Sequence, residues 1–330
     1  MDVTEIPAKT LLRKMRRIDS FFLSSAGMNL YRGCAHNCAY CDGRAEKYRV
    51  DGDFAADIQV KTNAVALLRK ELGLEAAQQE LFPPARHGGF LLLGGGVGDS
   101  YQPAEARCRI TREVLELLVA HGIPVHVLTK SSLVLRDAEL LERLAVSVGA
   151  AVSFSISTAD DSLAALLEPG APLPSARLQA LAELRRRGIN GGIFLMPVVP
   201  FLSDGPEQIE RSVAAAARAG AQYVVFGGMT LKQGRQKDHF IGVVGGDDAD
   251  LAVRIDHLYP GVPAGRPDWG NAAPGYYRRI TRAFARAANA HGMPARIPLA
   301  LCRHLLSAQE LSVVSAEHAQ VAAEMAAYLR

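Results

Sequence analysis

Three of the five cysteines in this chain of 330 residues lie within eight residues of one another. Cys34, Cys38 and Cys41 have the spacing C-x3-C-x2-C, and no fourth cysteine follows nearby. Thiolates are the soft ligands that iron–sulfur clusters and zinc prefer. Three cysteines on a four-iron cluster leave one iron open, and that iron can bind a small molecule through an amine and a carboxylate. The spacing therefore predicts a [4Fe–4S] cluster with one vacant iron position.

Two other interpretations of these cysteines compete with the cluster. They could be small buried hydrophobes, but the residues around them do not follow an apolar core pattern. These flanking residues are Arg32, Gly33, His36 and Asn37. The second alternative is zinc, with His36 or a distant cysteine completing a tetrahedral site. The spacing of His36 between two cysteines is awkward for one tetrahedron, so the pattern favours the cluster. Cys108 and Cys302 are expected to pack in a helix and an apolar segment.

The composition is typical of a soluble globular protein, with 49% hydrophobic and 22% charged residues. A formal net charge of +3 is too small to argue for a polyanionic partner. The residues from 1 to 22 carry charges throughout and lack the apolar core of a signal peptide. No segment approaches the roughly 20 apolar residues that cross a bilayer. We therefore expect a cytoplasmic protein with no membrane contact, whose cysteines stay reduced.

Short apolar runs alternate with longer stretches of helical periodicity, which predicts repeated β-α-β units and a parallel sheet. The expected buried strands are 90–94, 124–129, 151–156, 192–199 and 222–227. The expected helices between them are 104–120, 136–146, 175–188 and 206–219. An open or partly closed β/α barrel and a flat doubly wound sheet both satisfy this pattern. Past about residue 235 the alternation stops, and a loop-rich stretch leads to helices expected near 276–291 and 307–329.

Glycines and polar residues follow two of the predicted strands. The run Gly94-Gly95-Gly96 permits close backbone approach to a ligand. A phosphate loop is disfavoured because the G-K-[ST] ending is missing, and a plain turn is the other alternative. Asp99 follows as a ligand-binding group, a helix N-cap, or both. Lys130 ends the strand PVHVLTK, and residues at such ends face the active site of a β/α barrel, although a lone lysine is often just a solvated charge.

The cysteine motif, with the aromatic Tyr40 just before its last cysteine, resembles the signature of the radical S-adenosylmethionine (SAM) superfamily. The resemblance extends to its spore photoproduct lyase-like branch, often labelled DNA repair photolyase. The stretches that carry it are YRGCAHNCAYC (31–41), GDSYQPAEARCRITREVLELL (98–118), VLTKSSLVLRD (127–137), SFSIST (153–158) and LEPGAPLPSARLQALAEL (167–184). This resemblance implies an α/β fold with a partial (β/α)6 TIM-like barrel and a C-terminal helical appendage. It thereby decides between the barrel and the flat sheet.

The resemblance also implies a division of the chain and a set of ligand contacts. The expected parts are an N-terminal extension (1–25), the radical SAM core barrel (26–235) and a loop-rich, helical C-terminal region (236–330). The three cysteines would ligate iron. The residues themselves, rather than the resemblance, predict that amides of Gly95 and Gly96 reach the amine or ribose of SAM and that Asp99 hydrogen-bonds the ribose or positions the substrate. The SAM contacts implied by the resemblance are Tyr40 with the adenine, Lys130 with the carboxylate, Ser155 through a hydrogen bond, and Met196 through its backbone beside the adenosine.

The implied activity is reductive cleavage of SAM to a 5′-deoxyadenosyl radical, which abstracts hydrogen from a substrate. An external electron donor of the flavodoxin or ferredoxin type is implied as a partner, and nucleic acid is one candidate partner. The alternative is a zinc-binding or iron–sulfur electron-transfer protein that does not cleave SAM. The two functions are distinguished by their product, because only the radical SAM enzyme would form 5′-deoxyadenosine from SAM.

Two departures from the spore photoproduct lyase pattern bear on the substrate. Gly96 occupies the place of the lyase's hydrogen-donating cysteine, and Asp42 stands where a second aromatic residue would follow the motif. Repair of thymine dimers by that mechanism is therefore not expected, and the substrate stays open. Separately, Glu168 and Arg177 are expected to form an ion pair at the barrel rim, where such pairs contribute little.

Overall fold

The computed structural model describes residues 2–48, 50, 52–75, 88–95, 97–246, 248–263 and 266–330. Seven strands form its central curled sheet: β2 (Leu12–Asp19), β3 (Ser24–Met28), β6 (Phe90–Gly94), β7 (Val125–Thr129), β8 (Ala150–Ile156), β9 (Asn190–Val198) and β10 (Val224–Gly228). Their order is β10-β9-β8-β7-β6-β3-β2. β3 and β6 to β10 are parallel, and β2 is antiparallel to β3 at the edge. These parallel strands confirm the predicted partial (β/α)6 barrel.

Both faces of the sheet are covered, which explains why its strands read as near-continuous apolar runs. On the outer face, Val127 and Phe154 belong to the core that the helices share. On the inner face, Phe90, Ala151 and Phe194 fill the interior of the curled sheet. Successive strand residues point to opposite faces, so each strand divides its side chains between the helix layer and the interior.

Helices follow most of the parallel strands. They are α1 (Ala64–Glu71), α2 (Glu105–Cys108), α3 (Ile110–Ala120), α4 (Ala138–Ser147), α5 (Asp161–Leu167), α6 (Pro174–Arg186), α7 (Pro206–Arg218), α8 (Arg235–Gly245), α9 (Ala249–Leu258), α10 (Tyr276–Ala290) and α11 (Ala308–Ala327). Proline begins both α6 and α7, where its missing N–H removes no helical hydrogen bond. A helix of this set buries one apolar face against the sheet, as α3 does with Val114, Leu115 and Leu118.

Two local expectations were wrong, and one strand was missed. The helix expected over 104–120 is interrupted by Arg109, whose φ of 55° lies in the left-handed region. The stretch after residue 235 contains α8 and α9 rather than only loops. β3 was not expected, because its sequence SSAGM lacks the branched and aromatic residues typical of strands. It is a strand because its backbone pairs with β2 on one side and with β6, distant in the chain, on the other.

A second, three-stranded sheet leads into the cysteine motif. Its strands are β1 (Asp2–Ile6), β4 (Tyr31–Arg32) and β5 (Asp57–Lys61), in the order β1-β5-β4. β4 ends two residues before Cys34, so the start of the motif is attached to an ordered sheet. The C-terminal helix α10 packs on α7 and β10, and α8 packs on α9.

The division of the chain into 1–25, 26–235 and 236–330 stays a prediction. Within the part of the chain that the structure describes, no helix combines the length and the apolar character needed to cross a membrane.

Candidate active site at the carboxyl ends of the parallel strands

The cysteine motif and the carboxyl ends of the parallel strands surround one cavity of about 330 Å³. It brings together the predicted site residues that the structure describes, which are Cys34, Cys38, Cys41, Tyr40, Gly95, Asp99, Lys130, Ser155 and Met196. Gly96 lies outside the described residues. Two other hollows, of about 380 and 410 Å³, lie in the C-terminal region, and none of the described cysteines lines them. The groups capable of chemistry therefore lie together in the cavity at the strand ends.

Backbone geometry and one buried side chain shape the loop that carries the cysteines. Gly33 has a φ of 72°, and a Cβ there would lie 2.9 Å from the carbonyl oxygen of Phe54. The Gln102 side chain accepts a hydrogen bond from the Ala35 amide at 2.8 Å. Its Nε2 donates to the Gly33 carbonyl at 3.2 Å. The loop is thus held on the barrel by a residue of the connection between β6 and α2.

All three thiols of the motif are free and mostly buried. Burial raises the pKa of each thiol. Cluster assembly therefore has to release these protons, since only thiolates ligate iron. Among the described residues, no three His, Cys, Asp or Glu side chains are arranged around one metal-ion position. A four-iron cluster does not require such a group, because each cysteine binds a different iron, and three soft donors on one wall fit it.

Asp99 is engaged by protein groups from several directions. Its Oδ1 accepts hydrogen bonds from the Tyr101 amide at 2.8 Å and the Thr129 hydroxyl at 2.7 Å. Its Oδ2 accepts from the Lys130 amide at 2.7 Å and lies 3.2 Å from Nε2 of His36. Burial alone would raise the pKa of Asp99, but His36 and these amides lower it to about 2. The helix-cap interpretation was wrong, because α2 begins after Ala104 and has no side-chain cap.

Lys130 and Ser155 form a short chain of hydrogen bonds at the ends of neighbouring strands. The ammonium of Lys130 donates to the Ser155 hydroxyl at 2.6 Å. That hydroxyl donates in turn to the carbonyl of Met196 at 2.9 Å. The Lys130 side chain is 13% exposed and lies 5.7 Å from the ring centre of Tyr40. It is therefore a cavity-lining cation, and the interpretation as a solvated surface charge was wrong.

The Glu168–Arg177 pair is buried in the interior, whereas the sequence suggested a rim position. Both side chains have no exposed surface. Tyr40 donates its hydroxyl hydrogen to Glu168, and Ser157 donates to the same carboxylate oxygen at 2.8 Å. Burial alone would raise the pKa of Glu168, but the charges of Lys130 and Arg177 lower it to about 2. Sequence reasoning missed this because charged residue types predict exposure.

A further wall of the cavity is formed by Asp42 together with the chain after β10. Asp42, beside the last cysteine, is paired with Lys232 and accepts from the Tyr48 hydroxyl at 3.0 Å. Thr230 lines the same wall. Gln236 of α8 donates to the backbone carbonyls of Tyr40 and Thr230 at 3.0 and 2.9 Å. Lys232 is buried although its residue type favours exposure.

A loop between α9 and α10 supports this wall from outside. The amide of Leu231 donates to the carbonyl of Gly270 at 2.8 Å, and the amide of Gln233 donates to Asp268 at 2.8 Å. Trp269, between them, is 65% exposed. The connection between β10 and α8 is thus in contact with the cysteine loop on one side and with the loop between α9 and α10 on the other.

Comparison with known proteins gives matches over most of this chain. The family model described as the radical SAM superfamily matches residues 28–206. An uncharacterized protein of Mycobacterium tuberculosis is 32% identical over 236 residues, which cover 70% of this chain and 66% of the relative. An uncharacterized protein of Methanocaldococcus jannaschii is 26% identical over 216 residues, 65% of this chain and 74% of the relative. The chain thus matches just under two thirds of the mycobacterial relative's length.

Solved structures with the same fold include spore photoproduct lyase complexed with dinucleoside spore photoproduct. Its TM-score is 0.60 at 15% sequence identity, covering 89% of this chain and 80% of the lyase. A cysteine-to-alanine mutant of spore photoproduct lyase with the same dinucleoside gives 0.59 at 16% identity and the same coverage. At this identity the similarity concerns the fold. The family match spans more than half of the chain, so this chain belongs to the radical SAM superfamily, an enzyme family that implies a [4Fe–4S] cluster, SAM and an electron donor.

Proposed function

We propose that this chain is a radical SAM enzyme that holds a [4Fe–4S] cluster on Cys34, Cys38 and Cys41 and binds SAM in the adjoining cavity. The observation that supports this most is that the three thiols and the ammonium of Lys130 line the same cavity. When both are bound, the reduced cluster supplies the electron that cleaves SAM to methionine and a 5′-deoxyadenosyl radical, which takes a hydrogen atom from the substrate.

In this proposal, different residues of the cavity bind different parts of SAM. Lys130 neutralises the carboxylate, and Ser155 keeps the lysine side chain in place through their hydrogen bond. The ring of Tyr40, which lines the cavity, would contact the adenine. Gly95 has a φ of 81°, which favours glycine, and leaves its backbone open to the ligand. Met196 lines the adenosine side, with its carbonyl oxygen already accepting from Ser155.

Asp99 acts through other groups in this proposal. Its two oxygens are occupied by Tyr101, Thr129 and the backbone of Lys130, with His36 close by. It therefore holds the base of the lysine and the cysteine loop in fixed relation. The packing of α8 and α9 residues against Tyr40 and Cys38 keeps water away from the motif on that side.

The substrate is proposed to enter against the wall formed by Asp42 and Thr230, which the assigned SAM contacts leave free. Nucleic-acid lesions are the first substrate class to test, because the fold is shared with a lyase complexed with a dinucleoside photoproduct. Flavodoxin or ferredoxin is the electron donor to supply. The product is measured as deuterium transferred from a labelled substrate into 5′-deoxyadenosine.

The experiment that tests the cofactor assignment is anaerobic reconstitution with iron and sulfide. We expect about four irons and four sulfides per chain and an electron paramagnetic resonance spectrum of the reduced cluster that changes when SAM is added. We also expect 5′-deoxyadenosine only when SAM and reductant are both present. Tightly bound zinc with no cluster, or a cluster indifferent to SAM, would instead support the zinc-binding or electron-transfer alternative.

A further inference from the structure

One buried carboxylate connects the cysteine loop to the lysine of the cavity. Glu168 follows α5 and has a side chain with no exposed surface. Its Oε1 accepts hydrogen bonds from Tyr40 and Ser157 and lies 3.8 Å from the ammonium of Lys130. Tyr40 belongs to the loop, Lys130 follows β7, and Ser157 follows β8. Three separate segments therefore meet at a single oxygen atom.

The other oxygen of Glu168 is bound by Arg177, which is itself held by further hydrogen bonds. The guanidinium donates from Nη2 to Glu168, from Nε to the Pro172 carbonyl at 2.7 Å, and from Nη1 to the Ser155 carbonyl at 3.0 Å. Because Arg177 is fully buried and donates in three directions, it holds the carboxylate in one orientation. Within this buried group the carboxylate lies between two cations, the guanidinium of Arg177 and the ammonium of Lys130.

The backbone around Glu168 is joined to the cysteine loop as well. The Ala39 amide donates to the Leu167 carbonyl at 2.8 Å, and the Gly170 amide donates to the His36 carbonyl at 3.0 Å. Nδ1 of His36 lies 3.1 Å from the Gly170 carbonyl, to which it can donate. A Cβ at Gly170 would stand 2.0 Å from the Ala35 carbonyl oxygen. The segment 167–170 is thus in direct contact with the loop on both sides of Cys38.

We infer that Glu168 is a positioning residue that sets the distance between the cysteine loop and the ammonium of Lys130, and so places the carboxylate of SAM relative to the cluster. This inference rests on the proposed function. The negative charge is essential to the role, because a neutral side chain of the same shape would no longer attract the ammonium. Arg177 would then repel Lys130 without compensation.

The first test replaces Glu168 by glutamine and by aspartate in the reconstituted full chain. Glu168→Gln should keep its full complement of iron and sulfide but bind SAM about tenfold more weakly, the scale of one lost charge-assisted interaction. Affinity is measured by titrating SAM against the change in the spectrum of the reduced cluster. Glu168→Asp keeps the charge and should recover part of the affinity. Equal affinities for wild type, Gln and Asp would overturn the inference.

A matched pair of variants keeps the test decisive if the buried substitution prevents folding. Tyr40→Phe and Ser157→Ala each remove one hydroxyl that donates to the same oxygen of Glu168, but only Tyr40 belongs to the cysteine loop. The positioning role predicts weaker SAM binding and an altered SAM-dependent spectrum for Tyr40→Phe, with Ser157→Ala unchanged. If Glu168 has only a structural role, Tyr40→Phe and Ser157→Ala should both lose a small and equal amount of stability, and neither should change the SAM-dependent spectrum.

The Glu168 variants also show whether Tyr40 acts through the carboxylate. If it does, Tyr40→Phe should add nothing further to the weaker binding of Glu168→Gln, since groups that act as a unit are not additive. Fully additive effects would contradict the inference. A wild-type cluster that ignores SAM would remove the proposed function itself, together with the inference. A wild type that responds while all these variants match it would remove the inference alone.

Discussion

The two ends of the curled sheet's interior differ in the buried charged and polar groups that they contain. At the carboxyl end, Glu168, Lys130 and Asp99 are buried or nearly so and lie around a cavity. Towards the amino end, the interior is aromatic, with Phe22 stacked on Phe194 at 5.4 Å between ring centres. Charge is concentrated where a ligand can enter, and the far end is closed by apolar packing.

The amino end contains one polar chain, and it is neutral. Nδ1 of His126 lies 3.0 Å from the Phe22 carbonyl, so this nitrogen carries the hydrogen and donates. Nε2 then accepts from the Ser153 hydroxyl at 2.8 Å, and Tyr223 donates to Ser153 at 2.7 Å. Burial lowers the pKa of His126 to about 4. The comparison indicates that the carboxyl end is built for ligand binding and the amino end for stability.

The largest effect is expected from the cysteines. Cys38→Ala should abolish the reconstituted cluster and the formation of 5′-deoxyadenosine, because an iron loses its thiolate, while the chain stays folded. Iron and sulfide analysis and product chromatography measure this, with Cys108→Ala, outside the cavity, as the control. A Cys38→Ala protein that still cleaves SAM would show that the cavity end does not hold the cofactor as proposed.

At the closed end we expect a large loss of stability instead. Phe194→Ala removes a fully buried ring and should lower the free energy of unfolding by about 3–5 kcal/mol. Urea unfolding followed by circular dichroism measures this, with Val146→Ala, 90% exposed, as the control. The protein that remains folded should still assemble the cluster. If the folded Phe194→Ala protein lost the cluster, the amino end would contribute to cofactor binding as well as to stability.

The neutral histidine predicts a dependence of stability on pH. The unfolded chain protonates His126 near pH 6.5 and the folded chain only near 4, so the unfolded state binds more protons between these values. Stability is therefore complete above about pH 6.5 and falls as the pH drops towards 4, by up to about 3 kcal/mol. Unfolding of His126→Gln should show a shallower slope over this range, whereas the exposed His257→Gln should keep the wild-type slope. Parallel curves for His126→Gln and wild type would contradict the assignment.

The smallest of these effects concerns a single cation at the cavity end. Lys130→Ala should weaken SAM binding by about 10- to 100-fold, the range for a hydrogen bond to a charged group, with little change in the iron content. The control is Lys47→Ala, whose ammonium is half exposed outside the cavity. An unchanged dissociation constant in a SAM titration would remove Lys130 from the site.

Sequence reasoning predicted the parts of this molecule that depend on local patterns. The strands at 90–94 and 125–129 were readable because both faces are covered, and the cysteine spacing pointed to the cluster motif. β3 was not readable, since its sequence lacks branched and aromatic residues and its pairing with β6 joins segments distant in the chain. Glu168 was expected at the rim, because two of the groups that make its burial tolerable, Tyr40 and Lys130, are distant from it in the chain. Residue types report local preference, whereas charge pairing is a property of the assembled fold.

The exposed indole of Trp269 has a practical consequence. It is the sole tryptophan of the chain, and its loop is hydrogen-bonded to the segment that forms one wall of the cavity. Ultraviolet fluorescence excited at tryptophan wavelengths therefore originates from this rim alone. A substrate that excludes water from the cavity entrance or changes its conformation should shift the emission wavelength of Trp269. This shift gives a label-free signal for screening candidate ligands.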